Sequence, residues 1–319
     1  NLLSISRTAG GAVSDSLRFT LGGDVLLDVS GTSTGVFEYD PSGNLVKDGL
    51  KRLEFSYNCL NLMQTAETAS GALKAQFTYG SDGRKLSEKA RTGGFEYLGS
   101  LIYAYRGGTL SLAQAVTDEG TIQSAGVNYF IRDHLGSVRA VVDHTGKIVE
   151  RNDYYPFGGR HENSALSLSA TNRYKFGGKE TLEPVSLDML DFGARFYDPR
   201  IARWNTQDPL AEKYFSLSPY NYCAGNPITL VDPTGMVMDD YRLKKNGEIE
   251  LMKKTNDNYD VIYAENEKGE IDLFNTISID RGILSNKITG TITPHGKEYS
   301  YDAYVLNNND QAQSLFEFV

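Results

Sequence analysis

Cysteine, proline, tryptophan and basic charge are all scarce in this chain. Two cysteines in 319 residues, Cys59 and Cys223, make no disulfide framework. Zinc needs clustered thiolate and imidazole ligands, and no such cluster is present, so both cysteines are expected to be ordinary packed side chains and no metal is expected. The four histidines, His134, His144, His161 and His295, are too scattered for a metal set. Residues 1–236 carry 23 basic and 26 acidic side chains and residues 237–319 carry 9 and 15, so neither part has the basic excess of a general nucleic-acid binder. No apolar run approaches the ~20 residues that span a bilayer as a helix. HExxH, P-loop and Cys/His motifs are missing from the tail, and no cofactor is expected. The chain opens at Asn1 in mid-pattern, without Met or a signal peptide, and reads as a piece of a longer or processed protein.

Aromatic residues and glycine are plentiful. Twenty Tyr and 14 Phe stand against one Trp, and 32 Gly against nine Pro. Tyrosine suits a two-faced sheet, where the ring packs and the hydroxyl stays near water. Glycine at this level fits many tight turns between short strands. Leu17, Phe19 and Leu21 alternate with polar residues, and Gly22-Gly23 is a turn before Val25-Leu26-Leu27. Then repetition begins. Phe37-Glu38-Tyr39-Asp40 leads to Gly43-Asn44-Leu45; Tyr57-Asn58 leads to Leu60-Asn61-Leu62, with the turn glycine missing; Phe77-Thr78-Tyr79-Gly80 leads to Asp82-Gly83-Arg84. Tyr39, Tyr57, Tyr79 and Tyr97 are spaced by 18, 22 and 18 residues. This period means one hairpin per unit, with Asp/Asn-x-x-Gly as the turn and Gly supplying positive φ. Such units cannot bury an apolar face alone and must stack side by side as a continuous antiparallel ribbon, whose twist can accumulate into a curled wall.

Tyr129–Asp143 continues the pattern through turns at Asp133–Gly136 and Asp143–Gly146, and Arg160–Ala170 is a polar loop. Leu187–Asp191 reads as a short helix or strand. Beyond Met236 the repeats cease. Candidate strands there are Tyr241–Leu243, Glu248–Met252, Tyr259–Glu265, Ile271–Phe274, Gly290–Thr293 and Tyr299–Leu306, in a small β-rich domain ending on apolar Phe316–Val319. His295, with Glu298 or Asp302 as an acidic partner, is a candidate acid or base in this tail; an exposed loop histidine is the plainer alternative.

Residues 193–235 (GARFYDPRIARWNTQDPLAEKYFSLSPYNYCAGNPITLVDPTG) hold three Asp-Pro steps, at Asp198, Asp208 and Asp232, and the single Trp204. Each step marks a turn, because Asp accepts nearby backbone N–H groups and Pro fixes the next φ. Asn226–Val231 reads as a short buried strand entering the last turn. RFYDPxxARW, DPL and PYNYCAGNPITLVDPTGM, preceded by YFIRDHLG at Tyr129–Gly136 and YYPFG at Tyr154–Gly158, closely resemble the Rhs (rearrangement hotspot) repeat-associated core that closes YD-repeat proteins. The likeness reaches back through about Tyr129 and more weakly to Phe37. It stops at Met236.

The resemblance implies a mainly β fold: an antiparallel hairpin ribbon forming an open part of a β-shell over residues 1–128, an Rhs core over 129–236 that caps it, and a variable effector over 237–319. It also implies that the core cuts its own chain at Met236–Val237 by aspartic-protease-like chemistry. There two carboxylates share a proton, one activating water and the other polarising the scissile carbonyl. The positions carried over are Asp208 and Asp232, with Asp198 as a third candidate and Arg195 and Arg203 to orient a carboxylate or neutralise an oxyanion. One departure stands out: the first element usually reads DPxG, and here it is Asp208-Pro209-Leu210-Ala211. Turn formation alone also explains every one of these aspartates. The partners implied are the chain's own C-terminal domain as cargo, a cognate immunity protein and a secretion-system component, in a bacterial protein that is secreted or on the cell surface. The readings left open are a toxin shell that cleaves itself, an adhesion scaffold without enzymatic activity, and a degenerate core that no longer cuts.

Overall fold

In the computed structural model the residues described are 1–161, 166–167, 172–182, 187–213, 217–228, 230–232, 234–236, 239–243, 249–253, 259–265, 271–280, 287–292 and 299–304. The chain divides into two compact units, Asn1–Gly225 and Asn226–Val319. The first unit is built on one sheet of 17 strands. These are β1 (Ser4–Ala9), β2 (Ala12–Gly22), β3 (Val25–Gly31), β4 (Gly35–Tyr39), β5 (Leu45–Asp48), β6 (Leu53–Tyr57), β7 (Met63–Thr68), β8 (Leu73–Tyr79), β9 (Lys85–Ala90), β10 (Gly93–Leu98), β11 (Leu101–Arg106), β12 (Thr109–Thr117), β13 (Gly120–Gln123), β14 (Gly126–Arg132), β15 (Val138–Asp143), β16 (Ile148–Arg151) and β17 (Leu166–Ser167). Each pairs antiparallel with the next, and among the described residues no pairing joins β17 back to β1. The expected open ribbon of hairpins is therefore the fold.

One turn design recurs along it. In the turn from Asp40, the N–H of Asp40 bonds the carbonyl of Asn44 and the N–H of Gly43 bonds the carbonyl of Asp40, while Asp40 Oδ1 accepts the N–H groups of Ser42 and Asn44. The turns from Asn58, Asp133 and Asp143 repeat every one of these bonds at equivalent positions. The unit lacking its glycine is no exception: Asn61 takes the glycine's place at φ +58°, a conformation Asn tolerates better than other side chains. The register shifts by one residue just before these turns, at Glu38/Tyr39, Ser56/Tyr57 and Ile131/Arg132, as a hairpin closed through a bulge requires.

Strand alternation sends one side chain in two to the core. Phe37, Phe55 and Phe77, one per repeat, are buried on the same face as Leu17, Phe19 and Leu26. Their cover is the later chain: Leu182, Leu187, Met189, Phe196 and Ile201 pack on that face, with Phe196 edge-on to Phe77 at 5.2 Å between ring centroids. The covering chain forms a small antiparallel sheet of β18 (Glu180–Thr181), β19 (Leu190–Asp191), β20 (Phe196–Asp198) and β21 (Arg203–Trp204). The strand alternative for Leu187–Asp191 is the one adopted, over Leu190–Asp191. A second cluster of Phe176, Leu190, Phe192, Tyr197, Trp204 and Tyr222 fills its other side.

The second unit holds β22 (Asp239–Leu243), β23 (Ile249–Lys253), β24 (Tyr259–Glu265), β25 (Ile271–Asp280), β26 (Lys287–Ile292) and β27 (Tyr299–Tyr304). β22 runs parallel to β24 and antiparallel to β23, β25 completes that sheet, and β26 and β27 form a separate hairpin. The strand expected at Asn226–Val231 is absent from its described residues. The N–H of Leu230 bonds the carbonyl of Asn226 and Ile228 is exposed. Pro227 contributes no donor to a ladder, which favours this turn over a strand.

Candidate functional site

Four of the residues expected from sequence, Arg195, Asp198, Arg203 and Asp208, lie in the first unit, in the chain that covers the first hairpins. All three Asp-Pro aspartates cap their own turns. Asp198 Oδ1 accepts the N–H of Arg200 at 2.8 Å, Asp208 Oδ1 that of Leu210 at 2.8 Å, and Asp232 Oδ1 those of Thr234 and Gly235 at 3.1 and 2.7 Å. The second carboxylate oxygens of the first two diverge. Asp208 Oδ2 is held by Arg195 at 2.8 Å. Arg195 also donates to the carbonyl of Pro219 and stacks 4.2 Å above the Trp204 ring, so a guanidinium is locked onto the Asp208 carboxylate.

Asp198 is engaged elsewhere. It is buried, and its Oδ2 bonds Lys51 Nζ at 2.8 Å. Asp48, also buried, completes the group. Burial and the nearby Asp198 charge push its carboxyl up, against the pull of Lys51. Burial by itself would push the Lys51 ammonium down, but Asp198 and Asp48 outweigh it and hold it above the ordinary lysine range.

Arg203 shares a backbone register with Asp198 across β20 and β21, yet its side chain turns to the first hairpins, bonding the Asp24 carbonyl and Asn1 Oδ1. Burial pushes its guanidinium down. Arg195 and Asp208 are therefore brought together, while Asp198 and Arg203 find other partners. Asp232 lies in the second unit, buried, ahead of an exposed Met236. Val237 and His295 lie outside the described residues.

The first hairpin repeats supply much of the frame. The Leu45 N–H bonds the Asn205 carbonyl, the Tyr220 hydroxyl bonds the Gly43 carbonyl, and Asn205 donates to the Tyr57 hydroxyl. Gly43 combines φ +78° with Gln207 pressed so close that a Cβ would meet it at 2.2 Å. Glycine takes that φ without strain, where the next repeat places Asn61.

Sequence reasoning missed a buried ionic cluster joining β9 and β10 to the covering chain. Lys85 reaches Asp191, Glu180 and Glu88 at 2.5, 2.8 and 3.5 Å. Arg173 reaches Glu88 and Glu180 at 2.8 and 3.1 Å, and the Tyr97 hydroxyl donates to Glu88 at 3.1 Å. Burial opposes the Lys85 charge, but Asp191 and Glu180 override it and hold the ammonium well above its usual range. A neighbouring pair, Lys175 and Glu150 at 2.5 Å, is buried as well. The available signal was Glu88 at an inward position of its strand. Of the two cysteines, Cys223 packs against the aromatic cluster as expected. Cys59 is exposed, because it occupies the tip of the Asn58–Leu62 turn. Among the described residues no group of three His, Cys, Asp or Glu could hold a metal ion.

Comparison with known proteins locates this arrangement. Residues 118–228 match the Teneurin YD-shell family model. The chain is 36% identical over 105 residues to salivary gland surface protein 1 of Aedes aegypti, covering 33% of this chain and 3% of that protein. It is 31% identical over 112 residues to toxin subunit YenC1 of Yersinia entomophaga, covering 34% and 11%. It is 26% identical over 243 residues to double-stranded DNA deaminase toxin A of Burkholderia cenocepacia, covering 63% and 17%. The chain thus spans less than a fifth of the length of each of these relatives. Among solved structures, a Photorhabdus luminescens Tc holotoxin pore superposes with a TM-score of 0.53 at 17% identity, covering 69% of this chain and 13% of the other. The TcdB2-TccC3-Cdc42 crystal structure gives 0.52 at 18% identity, covering 69% and 13%. The hairpin ribbon, its repeated Asp/Asn turns and the covering segment with its Asp-Pro steps are those of a YD-shell fold, and residues 118–228 carry the family likeness.

Proposed function

We propose that this chain is the closing part of a toxin's YD-repeat shell, that its C-terminal segment is the cargo, and that the core cleaves after Met236. The observation that carries the proposal is the seam between ribbon and covering chain: Asp198, Arg200 and Arg203 of the covering chain are held by Lys51, Ser33 and the Asp24 carbonyl of successive hairpins. Such a plug closes a wall. Sequestering a tail behind it would let a producing cell tolerate its own effector, and relatives named as toxins support that reading. In the proposed cleavage, Asp208 and Asp232 divide the work of activating water and polarising the carbonyl of Met236, and Arg195 orients Asp208 from 2.8 Å. An immunity protein and a delivery apparatus follow as partners if the cargo is toxic. Incubating the purified chain near neutral pH tests the cleavage. A fragment ending at Met236 is expected, absent in Asp208→Asn and Asp232→Asn.

A second reading, a surface scaffold whose Asp-Pro steps are turns and nothing more, is supported by the turn cap that each of the three aspartates makes two residues on and by the likeness to a salivary gland surface protein. It predicts a chain that stays whole. Expressing residues 237–319 alone in bacteria, with and without the neighbouring reading frame, tests the cargo. Growth arrest relieved by the neighbour is the outcome expected of a toxin.

A further inference from the structure

A cavity of about 300 Å³ opens in the first unit between the β1–β2 hairpin, the Tyr154–Arg160 turn and the segment from Asp188 to Arg200. It is twice the volume of a benzene-sized cavity and at the lower end of small-molecule pockets. Phe176, Met189 and Leu190 give it an apolar wall. Most of its polar lining is already committed. Arg7 bonds the carbonyls of Pro199 and Arg200 and pairs with Asp15. Arg200 bonds Ser33 and approaches the same Asp15, and Lys175 is paired with Glu150. The Tyr154 and Tyr155 hydroxyls are spent on backbone carbonyls. Arg160 differs: among the described residues its guanidinium makes no hydrogen bond and no ion pair, although it lines the cavity.

We propose that this cavity binds a small carboxylate with an apolar body, its head on the Arg160 guanidinium and its body against Phe176, Met189 and Leu190. A guanidinium presents paired N–H donors that match a carboxylate, and a partly enclosed apolar wall strengthens that contact by excluding water. Lining charge agrees. Arg7, Arg160, Lys175 and Arg200 outnumber Asp15, Asp188 and the Glu150 that pairs with Lys175, so an anion is favoured over a cation. The carboxylate can belong to a free metabolite-sized acid or to the end of a peptide; both offer the same chemistry.

Calorimetric titration of the full 319-residue chain with phenylacetate and with the tripeptide Gly-Gly-Phe distinguishes these sources, the tighter binder naming the class. Phenylacetamide and the tripeptide amide serve as neutral controls. Binding of at least one acid is expected, weakened at least tenfold by amidation and at least tenfold by Arg160→Ala, with unchanged Trp204 emission showing that the variant is folded. Asp188→Asn is expected to keep or tighten binding, since it removes a charge of the ligand's own sign. Failure of both acids to bind overturns the proposal. So does binding that survives amidation or Arg160→Ala in full, or binding that Asp188→Asn abolishes.

Discussion

The hydroxyl of Tyr79 donates a hydrogen bond to the carbonyl of Met63, one repeat upstream, at 2.8 Å. Tyr57 makes the same bond to Leu45 at 2.8 Å and Tyr154 to Val138 at 3.1 Å. Leu45, Met63 and Val138 occupy one equivalent position, just past the turn. These three tyrosines are thus struts to the preceding strand, while Tyr97 turns its hydroxyl to Glu88 instead, and burial pushes the Tyr57 and Tyr79 hydroxyls above the ordinary tyrosine range, keeping them neutral donors. Replacing Tyr79 by Phe is expected to lower stability by ~1–2 kcal/mol, the cost of leaving a carbonyl without its donor. Urea denaturation of the variant, with an unchanged circular dichroism spectrum, checks it.

Asn61 sits at φ +58° and accepts a hydrogen bond from the buried Asn44 side chain at 2.9 Å. Asn61→Ala is expected to cost ~2 kcal/mol, summing left-handed strain and a lost hydrogen bond. Asn61→Gly removes the strain and should cost less. Thermal melts of the pair rank the two terms, and equal losses would show that backbone conformation is irrelevant there.

Lys51 and Asp198 form a buried pair between the ribbon and its cover. Lys51→Met alone leaves a buried carboxylate and is expected to cost ~3–5 kcal/mol, whereas Lys51→Met with Asp198→Leu should recover much of that. The pair also sets a pH dependence. The Lys51 folded pKa is raised, so its contribution is complete below the unfolded lysine value and is lost as pH climbs past the folded one, in strong alkali.

Asp48 acts in the opposite sense. Its folded pKa is raised by burial, so its ionisation costs stability above the ordinary aspartate range, and that cost disappears as pH falls below it. Asp48→Asn retains a side-chain oxygen for the Lys51 N–H that Asp48 Oδ1 now accepts and should flatten the acid limb of the stability profile. Denaturation midpoints from pH 3 to pH 8 test this, and an unchanged profile would refute it.

Arg195 holds Asp208 and stacks on the protein's one tryptophan. Trp204 is buried, so its emission should be blue-shifted and protected from acrylamide. Arg195→Lys keeps the charge but not the planar stack or the fork. It is expected to red-shift Trp204 emission and, where cleavage occurs, to slow it at least tenfold.

Much of this fold was legible before any coordinates. Tyrosine spacing, the Asp/Asn-x-x-Gly turns and alternating Phe37, Phe55 and Phe77 specify a stacked hairpin ribbon, because each feature acts within about twenty residues of chain. The tail strands were legible on the same local grounds. Asn226–Val231 was misread because its apolar residues suggest a strand while Pro227 and one backbone hydrogen bond decide a turn. The partner of each Asp-Pro aspartate was not legible at all, since Lys51 reaches Asp198 over 147 residues of chain.

The amino-acid sequence alone determined the turns, the strand period, the open antiparallel ribbon and the Rhs likeness of residues 193–235. Tertiary structure decided which charges meet: that Arg195 takes Asp208, that Lys51 takes Asp198, and that Lys85 and Arg173 gather three acids between ribbon and cover. Turn chemistry is written into neighbouring residues and survives translation into three dimensions unchanged. Ion pairing between distant segments depends on how the later chain lies across the ribbon's apolar face, and only packing sets that registry.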